Sequence, residues 1–362
     1  RYLLGIDIGT SSCKVALFNV NGEVIGQGSG NYKVYYPNKG WAEQNPEEWW
    51  DSVCQTTKTV IENTQIDPRD ISGIGIDGQS WSAIPIDCNG KVLCNTPIWM
   101  DTRAKEICDE IKTKVDEDEL FALSGNPLEP SYTLPKILWY KKHKPEIYSK
   151  IYKILQSNSY IAYKLTGKIT QDKSQGYGYQ CFDMHTGVWD DTMCEKLGID
   201  RDMLPDIYEC HQVIGTVSMQ AARETGLHVG IPVVAGGLDA ACGTLGVGVL
   251  NNGQTQEQGG QAGGMSICTD KYHADKRLIL SCHVVPDKWL LQGGTVGGGG
   301  SVKWFEEQFG QAERIVAKLN GTNSFEEMST LAGSITHGSD GLIFLPYMQG
   351  ERSPIWDTKA KI

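Results

Sequence analysis

Two short segments, more than two hundred residues apart, each set a carboxylate at the end of an apolar run and follow it with small residues. In Asp7-Ile8-Gly9-Thr10-Ser11-Ser12 the acid leads into a tight turn with backbone amides and the hydroxyls of Thr10 and Ser11. Such a turn can cradle phosphate oxygens while the carboxylate holds a divalent cation, usually through water. The same letters also fit an ordinary hairpin whose Asp and Ser bond their own backbone. In Gly236-Gly237-Leu238-Asp239-Ala240-Ala241-Cys242-Gly243 the neighbours are too small to bond or shield Asp239. It is free to accept a hydroxyl proton as that hydroxyl attacks phosphorus. A helix N-cap is the bland alternative there. Two such units in one chain weigh against both bland readings.

A third set reads as the wall of a pocket for a polyhydroxylated small molecule: Asp77-Gly78-Gln79-Ser80-Trp81 and Trp99-Met100-Asp101-Thr102-Arg103. The indoles of Trp81 and Trp99 can stack on C–H faces, and Asp77, Gln79 and Asp101 can fix hydroxyls, although either Trp alone equally suits simple packing. Two glycine-rich turns, around Gly260 and Gly298, suit close approach by a nucleotide, and the second opens a helix whose N-terminus favours anions.

These residues need strands and helices to hold them. Tyr2–Asp7, Cys13–Asn19 and Glu23–Gln27 read as an antiparallel meander, the last two joined by Asn21-Gly22. Pro46 opens a helix to Asn63, and Ile71–Asp77 is an apolar strand ending on an acid. A hairpin is expected over Ser82–Asp87 and Lys91–Leu93, then helices near Thr102–Val115, Lys136–His143 and Ser157–Leu165. Ile231–Ala235 is a short buried strand, and a first domain, 1–249, closes near Val249. In the second, 250–362, Gln254–Gly264 is a glycine-rich turn between strands, Trp289–Gln292 a strand, Ser301–Phe309 a helix and Gly341–Pro346 a final strand. The repeated theme points to duplicated α/β domains facing each other across a cleft.

Composition limits the partners. The 362 residues suggest about two domains, and a net charge of −11 makes nucleic acid a poor partner. Eleven cysteines without a C-x-x-C pair argue against a disulfide framework and for a reducing cytoplasm. The first residues lack the pattern of a signal peptide, and the most apolar window, Ile231 to Leu250, is broken by Asp239 and five glycines. A soluble protein away from membranes is expected.

The ensemble resembles the FGGY carbohydrate kinases, most of all their xylulose kinase branch. The matching stretches run in family order: GIDIGTSSCKVALFN, GWAEQNPEEWW, IPIDCNGKVL, PIWMDTR, GNPLEPSYTLPKILW, VVAGGLDAACGTLGVG and LPYMQGERSPIWD. The resemblance implies two ribonuclease-H-like (actin-like ATPase) domains around a cleft, with ATP and Mg²⁺ between them, and transfer of the γ-phosphoryl group to a sugar hydroxyl. Asp7 then matches the acid that organises Mg²⁺, Thr10 and Ser11 the phosphate turn, and Asp239 the general base. Gln79, Trp99 and Asp101 match the sugar pocket, and Gly260 and Gly298 the nucleotide-side turns.

Three features depart from the family pattern. Trp81 stands where xylulose kinases usually carry His, and Ala240 where the family often has Asn or Gln. Gln261-Ala262 replaces a Thr-Ser pair in the second phosphate turn. The family also continues past this chain's last residue into an adenine-binding motif, so an incomplete second domain is expected, with sugar binding retained, little turnover and a tendency to self-associate, as in a homodimer. An actin-like ATPase module and a non-catalytic sugar-binding relic are the alternatives in other functional classes.

Overall fold

Alternation of buried and solvent-facing residues builds the meander: β1 (Tyr2–Ile8) pairs antiparallel with β2 (Ser12–Asn19), and β2 with β3 (Val24–Asn31). The computed structural model describes all residues of the chain except Gln261, Met348, Gln349, Arg352, Thr358, Lys359, Lys361 and Ile362. Helix α1 (Pro46–Thr64) starts where the residues dictate: Asn45 caps the Glu47 amide, Pro46 opens the first turn, and Glu47 and Glu48 lie at the positive end of the helix dipole. Its Trp49, Val53 and Val60 pack on the sheet with Leu4, Ile6, Val15 and Leu17.

Strand β4 (Ile71–Gly78) then enters the sheet parallel to β1. Helix α2 (Thr133–His143) and helix α3 (Ser157–Thr166) follow, and the short strand β5 (Thr170–Asp172) lies outside the main sheet. Strands β6 (Val213–Thr216), β7 (Pro232–Val234) and β8 (Gly237–Leu238) complete seven strands in the order β6-β7-β4-β1-β2-β3, with β8 beside β4. Helix α4 (Asp239–Gly246) begins at once after β8.

A second, four-stranded antiparallel sheet has the order β9-β10-β12-β11, from β9 (Thr255–Gly259), β10 (Gly263–Thr269), β11 (Ile279–Cys282) and β12 (Trp289–Thr295). Helix α5 (Gly299–Phe309) leaves the end of β12. A single buried cluster runs from Trp81 through Tyr132, Tyr177 and Leu238 to Leu280 and Leu290, so residues on both sides of Val249 share a core.

Three expectations are corrected. Asp87 does close a turn, accepting from the Asn89 and Lys91 amides, but Ile84–Ile86 pairs with Lys153–Leu155, and Val92 adds only an isolated bridge to Ile86. Two backbone hydrogen bonds, from the Asp87 amide to the Lys91 carbonyl and from the Leu93 amide to the Pro85 carbonyl, flank that bridge, so the return segment closes a minimal hairpin without forming a strand of its own. The turn expected over Gln254–Gly264 is confined to its tip, since Thr255–Gly259 is itself a strand. Gly341–Pro346 forms no strand: no described residue pairs with it, and Leu342, Ile343, Phe344 and Leu345 face solvent. All eleven cysteines are free thiols. Among the described residues no helix is long and apolar enough to cross a membrane.

Candidate active site

Strand register brings three acids together. Asp7 on β1 stands beside Asp77 on parallel β4, and Asp77 stands beside Gly237 on β8, two residues before Asp239. All three lie at the C-terminal ends of adjacent parallel strands and line one cavity of about 450 Å³. The approach to Asp239 depends on glycine. Gly236 adopts φ +76°, and a side chain there would meet the Ile76 carbonyl oxygen at 2.0 Å. Asp239 is the first residue of α4, and it accepts a 2.6 Å hydrogen bond from the Ala240 amide. It does not serve as the helix cap, a place that Leu238 takes.

Clustering sets the acidities. Burial, then the charges of Asp7 and Asp239, push the Asp77 carboxyl up to about 9. Burial, with Asp7 as the nearby like charge, pushes Asp239 up to about 7, although the Ala240 hydrogen bond favours its charged form. Lys14, paired with Asp7 at 2.9 Å, is the cation among the described residues of this cavity. A metal-free stability test follows. A carboxyl raised in the fold contributes fully below its unfolded pKa, and that contribution is lost as pH rises through about 9. Asp77→Asn is therefore expected to melt progressively higher than the wild type as pH goes from about 5 to about 9. A pH-independent difference in melting temperature would mean that Asp77 is not raised.

The acids also suit a bound cation. Like charges that suppress one another's ionisation gain from a positive ion among them. Among the described residues no three His, Cys, Asp or Glu side chains close into a metal cage. The carboxylates of Asp7, Asp77 and Asp239 that line this cavity are oxygen donors of the kind that suits Mg²⁺, an ion that keeps several waters and takes phosphate oxygens beside one or two carboxylates.

A second cavity, of about 250 Å³, lies on the other side of Asp239. Ser80, Trp81, Trp99 and Tyr177 form one wall, and the facing wall comes from β10 and β12. Asp239, Ala240 and Gln258 line both cavities. Trp81 holds the left-handed conformation at φ +61° and packs against Tyr132 and Tyr177, with ring centroids 4.7 and 6.1 Å away. The fully buried Lys136 donates to the carbonyls of Trp81 at 2.9 Å and Ile98 at 2.8 Å, so one ammonium fixes the backbones that carry both indoles. Burial lowers that ammonium to about 7, while Asp101 favours its charged form. The Trp99 indole N–H donates to Thr10 Oγ1 at 2.9 Å, linking the indole wall to the turn after β1.

Not every expected residue reaches a cavity. Asp101 is fully buried, and its carboxylate accepts from the Ala42 amide and from the guanidinium and amide of Arg103. Gln79 is buried too; its Nε2 donates to Gln44 Oε1 at 2.7 Å and to the Gly9 carbonyl at 3.3 Å, bracing the turn after β1, while its Oε1 has no hydrogen-bond partner among the described residues. Neither residue lines the indole cavity. Asp77 joins the acids and not the indoles. Ser11 is exposed in its turn, and its carbonyl accepts from the Tyr32 amide. The two glycine turns do meet: the Gly299 amide donates to the Gly260 carbonyl at 2.7 Å, and Gly298 caps α5 beside Gly263. The Gln261 substitution lies outside the described residues.

Sequence reasoning missed Lys14, Tyr177, Gln258 and Glu351. Lys14 had a signal, since the β1–β2 hairpin places it directly opposite Asp7. Glu351 braces the second turn, accepting from Thr295 Oγ1 at 2.7 Å and the Val296 amide at 2.9 Å. No local pattern announces it.

Comparison with known proteins gives this arrangement a context. Residues 2–246 match the family model described as FGGY family of carbohydrate kinases, N-terminal domain. Xylulose kinase of Bacillus subtilis (strain 168) is 31% identical over 363 aligned residues, covering 100% of this chain and 70% of that protein. Gluconokinase of the same strain is 32% identical over 361, covering 99% and 70%. The crystal structure of xylulose kinase from Rhodospirillum rubrum superposes with a TM-score of 0.88 at 26% identity, covering 99% of this chain and 72% of that one. The mixed α/β fold is thus the ribonuclease-H-like, actin-like one expected, over about 70% of the relatives' length. With its strand-end acids flanked by the Gly9–Ser11 turn and an indole-lined pocket, the chain belongs to the FGGY family of carbohydrate kinases, enzymes that phosphorylate sugars.

Proposed function

We propose that this protein transfers the γ-phosphoryl group of ATP to a terminal hydroxyl of a neutral ketose, a ketopentose such as xylulose giving the 5-phosphate, in the cytoplasm. The observation that carries the reading is the position of Asp239, which lines both the acidic cavity and the indole-walled one. The sugar lies against Trp81, Trp99 and Tyr177 on one side of that carboxylate, and the triphosphate lies on the side of Asp7, the Thr10 turn and Lys14. Asp239 accepts the proton of the attacking hydroxyl as the new P–O bond forms and the bond to ADP breaks. A pKa near 7 suits a base that must take that proton and later release it. Lys14 offers charge to phosphate oxygens, and the turn at Gly9–Ser11 offers backbone amides. Mg²⁺, when bound among Asp7, Asp77 and the phosphates, neutralises charge on the transferring group. The glycine turns at Gly260 and Gly298 receive the nucleotide from the facing sheet, and we divide the chain into a sugar-side unit, 1–249, and a nucleotide-side unit, 250–362.

The gluconokinase relative raises a sugar acid as the alternative substrate. The described lining of the indole cavity favours a neutral sugar: it holds no Lys or Arg, and its one ionisable acid, Asp239, would repel a carboxylate. A panel of ketopentoses, hexuloses, glycerol and gluconate, assayed for sugar-dependent ADP release, tests this. The highest kcat/KM is expected for a ketopentose. Preference for gluconate would overturn the substrate, and ADP release without any sugar would favour an ATPase.

A further inference from the structure

Behind the two cavities lies a fully buried polar cluster that the reaction itself does not use: Asp172, Ser174, Gln175, Asn158 and Gln156. Asp172 is its centre. Its Oδ1 accepts from Ser174 Oγ at 2.5 Å and from the Gln175 amide at 3.1 Å, and its Oδ2 from Asn158 Nδ2 at 2.9 Å. From there two arms lead outward. On one, Ser174 Oγ accepts from the Leu238 amide at 2.8 Å, directly before Asp239. On the other, Asn158 Oδ1 accepts from Gln175 Nε2 at 2.7 Å, and Gln175 Oε1, with Gln156 Oε1, receives the Trp81 amide at 3.4 and 3.2 Å.

We propose that Asp172 is a positioning residue that holds the base segment and the sugar wall in one register, through Ser174 to Leu238 and through Asn158 and Gln175 to Trp81. The inference rests on the reading of Asp239 as base and Trp81 as sugar wall. Its physical basis is that each donor in the cluster is oriented by the acceptor it already has. A carboxylate accepts on both oxygens, so the Ser174 hydroxyl must point inward, which leaves its lone pair for Leu238. In the same way Asn158 must turn its amide nitrogen to Asp172, which leaves its oxygen for Gln175. An amide in place of the carboxylate offers a donor at one of these positions and breaks one orientation. Leu238 has no slack to adjust, since a side chain at the preceding Gly237 would lie 2.9 Å from Ser174 Oγ and the Gly236 site abuts the Ile76 carbonyl.

The test reads amide hydrogen exchange at Leu238 and Trp81 in wild type, Asp172→Ala, Ser174→Ala and Gln175→Leu, each normalised to the Val15 amide in β2 as a marker of global opening. Asp172→Ala, which removes both acceptors, is expected to speed exchange at Leu238 by about tenfold or more, the scale of leaving a buried donor without its acceptor, and at Trp81 by less, because Gln156 Oε1 still receives that amide. Ser174→Ala should act at Leu238 and Gln175→Leu at Trp81, each with little effect at the other end. An Asp172→Ala protein in which only one amide, or neither, exchanges faster overturns the proposal. If that variant does not fold, the Ser174→Ala/Gln175→Leu cycle decides: non-additive exchange at the two ends supports the shared centre, and additive exchange overturns it. In kinetics, Ser174→Ala should lower kcat by about tenfold with sugar KM within about twofold, whereas Gln175→Leu should raise sugar KM. The underlying site reading has a separate check. Asp239→Asn should leave both exchange rates unchanged, so turnover surviving in that variant removes the base assignment without touching the exchange result.

Discussion

Asp239→Asn is expected to lower turnover by about 10²–10⁴-fold while leaving sugar affinity within about twofold of wild type. The amide is nearly isosteric and keeps an oxygen for the Ala240 N–H, so α4 and both cavities should persist. What disappears is the ability to accept a proton from the attacking hydroxyl. The wild-type rate should rise with pH as this carboxyl ionises, because the base works only when charged, and with Mg²⁺ bound beside it that limb should lie below the metal-free value of about 7. The substituted enzyme should lose that limb. Calorimetry with the sugar and steady-state ADP release from pH 5 to 9, both at saturating Mg-ATP, measure the two effects. Turnover within about tenfold of wild type would exclude Asp239 as the base.

Asp7→Ala should act on the other substrate. The Mg²⁺ concentration for half-maximal activity is expected to rise by about 10–100-fold, with sugar affinity nearly intact. Asp7 faces the acidic cavity and does not line the indole one. Its removal also frees Lys14 from its ion pair and takes a like charge away from Asp239. In the metal-free protein the Asp239 carboxyl should therefore titrate below about 7 in this variant. A fall in sugar affinity with an unchanged metal requirement would show that the roles are reversed.

The sequence carried the two acids that matter most because each has a local signature, an apolar run ending on Asp beside small residues. Their meeting was less legible. Asp77 lies seventy residues beyond Asp7, and only the parallel pairing of β1 with β4 sets them side by side. Sequence gives residue types, and it does not tell which polar groups the fold will use internally. Asp101 has the right chemistry for hydroxyls, yet Arg103 and Ala42 claim its carboxylate, and Gln44 and Gly9 claim the Gln79 amide nitrogen while leaving its oxygen without a partner among the described residues. The Asp172 cluster had no signature at all, being drawn from α3, β5 and the turn that follows β5. The strand misread at Gly341–Pro346 shows the reverse error: an apolar run predicts a strand only where a neighbour exists to pair with it.

The left-handed backbone at Trp81 bears on how this pocket can change over evolutionary time. A residue at φ +61° is drawn from a short alphabet: glycine enters freely, Asn, Asp and His are tolerated above the rest, and β-branched side chains are nearly barred. A histidine would belong to that tolerated set, whereas the bulky indole present here is held by Lys136, bonded to its carbonyl, and by Tyr132 and Tyr177 around it. A lineage retuning its substrate at this position therefore selects among side chains the main chain has already shortlisted. Exchanging Trp for Val or Ile would strain the peptide before any sugar arrived, so adaptation at residue 81 should proceed through ring, amide or glycine, with branched aliphatics left out.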